Sequence, residues 1–161
     1  MSEHESRPSP SREVPRVRCL RLEHGSGIEL PRRASPGSAG LDLRAAVTID
    51  VTIGPGERTL IPTGFVVSIP EGWEGQVRPR SGLALREGLT LLNTPGTIDS
   101  DYRGELKVLM INLGQLPVTV SRGDRIAQLI LAPVALAETE EAESLDDTER
   151  GEGGFGSTGK E

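Results

Sequence analysis

Val47-Thr-Ile-Asp-Val-Thr-Ile53, followed by Gly54-Pro55-Gly56, alternates apolar and polar residues with period two and then turns. A strand shows the same face every second residue, so this spacing predicts a half-buried β-strand closed by a turn. The signature recurs downstream. Phe65–Ile69 lies between Pro62-Thr63-Gly64 and Pro70-Glu71-Gly72, and Leu106–Leu113, Val118–Val120 and Ile126–Leu131 are further strand-like runs. Ser121-Arg122-Gly123-Asp124 is the turn between the last two. Only Ser81–Glu87 reads as a helical turn or so. Many short strands at this spacing predict an all-β domain, a sandwich or barrel.

The strand pattern runs from Val17 to about Ala137, and Pro133 is expected to end the last core strand. We divide the chain into a disordered N-terminal arm (1–15, polar and proline-bearing), a β domain (16–137), an acidic linker (138–149) and a glycine-rich tail (150–161). Within the tail, Gly154 to Lys160 reads G-x-x-x-x-G-K, most of a phosphate-binding P-loop. Glu161 stands where Ser or Thr would hold magnesium, and no following helix is expected to aim its dipole at phosphates. The tail is therefore expected to fold over an anion site built elsewhere, with backbone N–H groups, Ser157 and Thr158 as donors.

Composition narrows the function. The chain has 161 residues, with 20 glycines and 12 prolines, rich in turns. Its aromatics are Phe65, Trp73, Tyr102 and Phe155, so the core must be aliphatic. Cys19 is alone, which excludes an intrachain disulfide and a multi-cysteine zinc site. The only histidines are His4 and His24, a poor supply for histidine-centred catalysis. The net charge is −6, but the 138–149 linker holds seven acids and no base; without it the charge is +1. The nearly neutral body leaves arginines free to gather around an anionic ligand. There is no basic run and there are few aromatics, so stable nucleic-acid binding is not expected. No apolar run reaches membrane length and no hydrophobic signal region is seen, so a cytoplasmic protein with no membrane association is expected.

Four segments interrupt the strand pattern with charged or glycine-rich groups. In Ala39-Gly-Leu-Asp-Leu-Arg-Ala45, alternation places Asp42 on the face opposite Leu41 and Leu43. In Arg78-Pro-Arg-Ser-Gly-Leu-Ala84, Arg80 offers a planar fork for phosphate oxygens, Ser81 a hydroxyl and Gly82 an approachable N–H. Asn93-Thr-Pro-Gly-Thr-Ile-Asp-Ser-Asp-Tyr-Arg-Gly-Glu105 combines a tight turn, a carboxylate (Asp99) suited to activating water, and a ring face (Tyr102) for a flat or sugar-like ligand. In Arg122-Gly-Asp-Arg-Ile-Ala-Gln-Leu-Ile130, Gln128 sits among apolar residues and needs partners, from a ligand, a water or a neighbouring backbone. Taken singly, an outward surface aspartate is the commoner reading of the first, a capped turn accounts for the second equally simply, and two aspartates in a turn are more often turn formers than catalysts.

In this order, and with Arg150-Gly-Glu-Gly-Gly-Phe-Gly-Ser-Thr-Gly159 after them, the segments resemble the five motifs of trimeric dUTP pyrophosphatases, over roughly residues 17–159. The resemblance implies a jelly-roll-like β-barrel or sandwich and Mg2+-assisted hydrolysis of dUTP to dUMP and diphosphate. That reaction lowers dUTP and supplies dUMP for thymidylate synthesis. It further implies a homotrimer with sites shared between subunits and the tail arriving from a neighbour. On this likeness Asp99 matches the residue that deprotonates the attacking water, and Asp42 the carboxylate that holds the metal through water. Arg80, Ser81, Gly82 and Gln128 match phosphate-side groups. Asn93, Thr97 and Ile98 match the hairpin that reads uracil. Tyr102 matches the ring beneath the deoxyribose, which leaves no room for a 2′-hydroxyl, and Lys107 a position near the substrate. Arg150, Ser157 and Thr158 match tail contacts to phosphate, Phe155 the ring that stacks on the base, and Gly156 a further substrate-binding position. Trp73 stands where tyrosine is more usual. Two other readings remain open from the residues: a dCTP deaminase or bifunctional deaminase–dUTPase of the same fold, and a non-catalytic nucleotide-sensing or protein-binding relative.

Overall fold

In the computed structural model, which describes residues 14–153, the alternation of Glu105-Leu-Lys-Val-Leu-Met-Ile-Asn112 is carried into space. Leu106, Val108, Met110 and Asn112 are fully buried on one face of the strand. The elements in chain order are β1 (Arg18–Arg21), β2 (Arg32–Arg33), β3 (Leu41–Arg44), β4 (Val51–Ile53), β5 (Arg58–Ser68) and β6 (Trp73–Arg78). They continue with α1 (Ser81–Glu87), β7 (Leu89–Leu91), β8 (Gly96–Ile98), β9 (Glu105–Asn112), β10 (Val118–Val120) and β11 (Arg125–Pro133). A single 3-10 turn, Glu23–Gly25, follows β1.

One sheet has the order β1-β5-β9-β7, a second β2-β3-β11-β6-β8, and β10-β4 form a third, two-stranded piece. All pairings are antiparallel. Ile61 and Val67 of β5 and the buried face of β9 meet Leu43, Val77, Ala127 and Leu129 of the second sheet, with Ile53 and Val120 of the third, in one apolar cluster. The molecule is therefore an all-β, jelly-roll-like sandwich with an aliphatic core. Full burial of each such side chain contributes roughly 1.5–3 kcal/mol. Phe65 lies in a smaller cluster with Ile28 and Ala46, while Trp73 packs half-buried against the main one.

Two local expectations are corrected. Only Val51–Ile53 of the 47–53 run forms a strand; the chain bends at Thr48–Ile49, and Ile49 is 78 % exposed instead of sharing the buried face with Val47 and Ile53. The partner strand β10 is three residues long and pairs with nothing before Val51, so the alternation outruns its ladder. Pro62-Thr63-Gly64 does not end a strand either. It lies inside β5, where the register with β9 shifts between Pro62 and Val66, and Gly64 takes φ +76°. That conformation suits a residue without a Cβ and lets the strand bulge and continue.

Asn112 is the buried polar group that ties the layers. Its Nδ2 donates to the carbonyls of Ile53 (2.9 Å) and Leu116 (2.8 Å), and its Oδ1 accepts the Gly114 N–H at 2.8 Å. Asn112→Ala leaves these three groups without their partner and is expected to destabilise the fold by about 3 kcal/mol. Chemical denaturation checks this, and an unchanged unfolding midpoint would contradict it.

Candidate active site

The second sheet sets up one face of the site through register. Gln128 on β11, the central strand, lies opposite Asp42 of β3 on one side and Arg78 of β6 on the other. Register partners project to the same face, and Leu43, Val77, Ala127 and Leu129 occupy the inner one. Asp42, Gln128 and Arg78 therefore share the outer face. The Asp42 Oδ2 accepts from Arg125 Nη1 at 3.1 Å, and Arg80 Nε lies 3.8 Å from Oδ1. Arg80 also donates through Nη1 to the Arg125 carbonyl at 2.9 Å. Gln128 Nε2 donates to the Pro79 carbonyl at 3.0 Å, so a neighbouring backbone answers the demand its sequence position creates. Gly40 makes room for that amide: a Cβ there would fall 2.3 Å from Gln128 Oε1.

Positive charge dominates this cluster. Burial, and then the Arg125 guanidinium, push the Arg80 pKa down from its ordinary value; Asp42 opposes them, while Arg86 and Arg44 add to the lowering. Arg80 stays cationic because guanidinium titrates so far above neutrality. Arg80 is the extended N-cap of α1, so Ser81 and Gly82 open a helix whose first turn carries no acid. The Arg86 guanidinium folds back over Gly82, 3.1 Å from where its Cβ would be. Several arginines around one carboxylate make a place where an anion is stabilised. Arg86 and Arg125 were not singled out in the sequence. Arg125 had a usable signal, three residues before Gln128 at the start of the same strand.

The third segment builds a second, separate pocket. Leu60, Thr97, Ile98, Asp99, Tyr102, Glu105 and Lys107 line a cavity of about 450 Å3. β8 is the last strand of its sheet among the described residues, so the backbone groups along its outer edge face no described strand and stay available to a ligand. Asn93 lies on the turn before β8 with its amide beside Gly96. Tyr102 Oη donates to the Glu105 carbonyl at 3.1 Å, and the Tyr102 N–H donates to the Asp99 carbonyl at 3.2 Å.

The structure brings Asp42, Arg80 and Gln128 together, with Ser81 and Gly82 beside them. It separately gathers Thr97, Ile98, Asp99, Tyr102 and Lys107. Within one chain the groups do not meet. From Asp42 to β8 is three strand steps, ~14 Å, and the β6–β8 register places Asp99 beyond Ile98 toward Glu74, a further ~13 Å along the strands. Arg150 sits in a turn where its Nε donates to the Gly153 carbonyl at 2.6 Å. Phe155, Gly156, Ser157 and Thr158 lie outside the described residues, as does most of the 1–15 arm. Among the described residues no three His, Cys, Asp or Glu side chains cluster as a metal cage, and no helix is long and apolar enough to cross a membrane.

The family model described as dUTPase matches residues 26–159. The chain belongs to the dUTPase family. It is 55% identical to a deoxyuridine 5'-triphosphate nucleotidohydrolase of Rhizobium etli (strain CIAT 652), an alignment that covers 97% of each chain. A mutant dUTPase of Staphylococcus bacteriophage 80alpha, solved with dUpNHpp, is 27% identical with a TM-score of 0.79, covering 89% of this chain and 98% of that one. A mutant dUTPase from phage phi11 of S. aureus, described as coordinating a structural Mg(II) ion, is 26% identical with a TM-score of 0.71, covering 80% and 97%.

Gly40→Ala places a methyl where the Gln128 amide lies. It is expected to displace that amide and lower dUTP turnover about tenfold through the loss of one oriented polar group. Steady-state kinetics measures it, and unchanged turnover would remove Gln128 from the site.

Proposed function

We propose that the chain hydrolyses dUTP to dUMP and diphosphate as a cytoplasmic homotrimer. The observation that carries this reading is the pocket at the β8 edge. There an exposed carboxylate, Asp99, stands at the rim of a cavity shared with the Tyr102 ring. In this reading the unpaired edge of β8, with Asn93, recognises uracil through fixed donors and acceptors, which reject cytosine by leaving polar groups unpaired. Tyr102 lies beneath the deoxyribose, and Lys107 faces the substrate.

Asp99 takes a proton from a water aimed at the α-phosphorus. The new P–O bond forms as the bond to the β-phosphate bridging oxygen breaks, and diphosphate leaves. Arg80, Ser81, Gly82 and Gln128 hold the triphosphate and offset the charge that shifts onto it. Arg125 neutralises Asp42 in the absence of phosphates. A lone carboxylate without a protein cage suits Mg2+, which keeps several waters and takes further ligands from phosphates, so Asp42 would hold it through water. Bound with the triphosphate, the ion supplies charge neutralisation and polarisation of the phosphorus.

The gap between the two clusters supports a site assembled from more than one copy, with Asp42 and Arg80 of one subunit completing the pocket of another. Leu85 and Leu116, exposed around a groove at the end of α1, are apolar surface that such a trimer would cover. The glycine-rich tail, including Arg150, Phe155, Gly156, Ser157 and Thr158, closes the site as a lid. The 138–149 linker tethers it to the 16–137 domain.

Asp99→Asn is expected to lower turnover about a thousandfold while the affinity for dUpNHpp stays within about threefold. Kinetics and calorimetry read the two quantities, and an equal loss of both would sink the general-base assignment. Removing residues 150–161 is expected to leave a folded trimer with severely reduced turnover. Light scattering and kinetics test this, and full activity would contradict the lid.

A further inference from the structure

Beneath the Tyr102 pocket, Glu105 joins parts of the chain that are distant in sequence. Its Oε1 accepts the Gly64 N–H at 2.9 Å and lies 2.6 Å from His24 Nε2, while Oε2 is 3.7 Å from Lys107 Nζ. Its side chain is 13 % exposed, and its backbone carbonyl accepts the Tyr102 hydroxyl. The clamp fills the break in the β5–β9 ladder. Pro62 pairs with Lys107 and Val66 with Glu105, so Thr63, Gly64 and Phe65 face only Leu106. The bulge takes the Gly64 N–H out of the ladder, and the carboxylate satisfies it. Gly64 in turn accepts the Leu22 N–H at 2.9 Å, holding the 3-10 turn that carries His24.

The Tyr102 ring rests directly on Gly104. A Cβ at Gly104 would fall 2.3 Å from Tyr102 Oη, 2.6 Å from Cζ and 2.9 Å from Cε2. The ring is thus set from below by the missing methyl and at its tip by the Glu105 carbonyl, whose position the clamp determines. The edge of β8 takes its place from a different sheet, through pairing with β6.

We propose that Gly104 and Glu105 are positioning residues that fix the depth of the sugar floor, and with it the rejection of a 2′-hydroxyl, independently of base recognition. The inference rests on the dUTP-hydrolysing reading above. Gly104→Ala displaces the ring and is expected to lower the ratio of kcat/KM for dUTP over UTP about tenfold, with the dUTP over dCTP ratio held within about twofold. Tyr102→Phe, which frees the tip of the ring without adding volume, is expected to lower the first ratio about threefold. Glu105→Ala is expected to do the same, and Glu105→Gln, which keeps an acceptor for Gly64, to restore it.

Because each ratio compares two substrates on one preparation, it does not depend on how much of a variant folds. An unchanged dUTP over UTP ratio in Gly104→Ala and Tyr102→Phe would overturn the proposal. So would a parallel fall of both ratios, which marks general loosening of the pocket. If the parent chain does not cleave dUTP at all, it is the functional reading beneath that fails.

Discussion

The position of β11 between β3 and β6 is the constraint on which the rest depends. Each strand has an inner face that fills the core and an outer face that faces solvent, and one register decides both. With Gln128 opposite Asp42 and Arg78, Ala127 and Leu129 enter the core, where each is at most 1 % exposed. A slip of one residue would bury Gln128 and expose its apolar neighbours, so hydrophobic burial and the alignment of the anion-facing groups are enforced together. The Gly40 vacancy and the Pro79 carbonyl then orient the Gln128 amide. Arg80 follows two residues after Arg78, at the cap of α1, and reaches back to the same carboxylate. The stability of the sandwich and the geometry of this half-site have one origin.

Much of this was legible in the residues. The helical turn at Ser81–Glu87, the strand at Val118–Val120 and the end of the last strand at Pro133 follow directly from pattern and punctuation. The motifs were legible because they break that pattern with Asp, Arg and Gly at positions a simple strand fills otherwise. What was hidden depends on partners. Ile49 has the right spacing to be buried, yet no strand lies beside it. Pro62-Thr63-Gly64 has turn chemistry, yet β9 continues opposite and draws it into a bulge. Arg125 is one arginine among many until β11 lies against β3, and Glu105 looks like an ordinary strand-end acid until the bulge turns the Gly64 N–H toward it. Local propensity carried the elements, and tertiary pairing chose which of their side chains act.

In the function we propose, the two clusters divide the work that a nucleoside triphosphate demands. One is rich in guanidinium groups around a single carboxylate, suited to phosphate and to an ion that arrives with it. The other offers an unpaired strand edge, an aromatic floor and an exposed carboxylate, suited to a nucleoside and an attacking water. Their separation along and across the same sheet keeps Asp42 and Asp99 apart in any one copy, so oligomerisation belongs to the chemistry we propose. A water-excluding lid would then act on a site already assembled between subunits.

Subunit mixing tests that claim most directly. Asp42→Asn and Asp99→Asn proteins, each inactive alone, are unfolded together, refolded as mixed trimers and assayed for diphosphate release from dUTP. If Asp42 of one subunit serves the pocket of another, some mixed trimers contain a site with both carboxylates intact, and activity returns well above either parent. If both carboxylates of a site come from the same chain, every site in every mixture carries one defect. Activity that stays at the level of the parents would contradict the account.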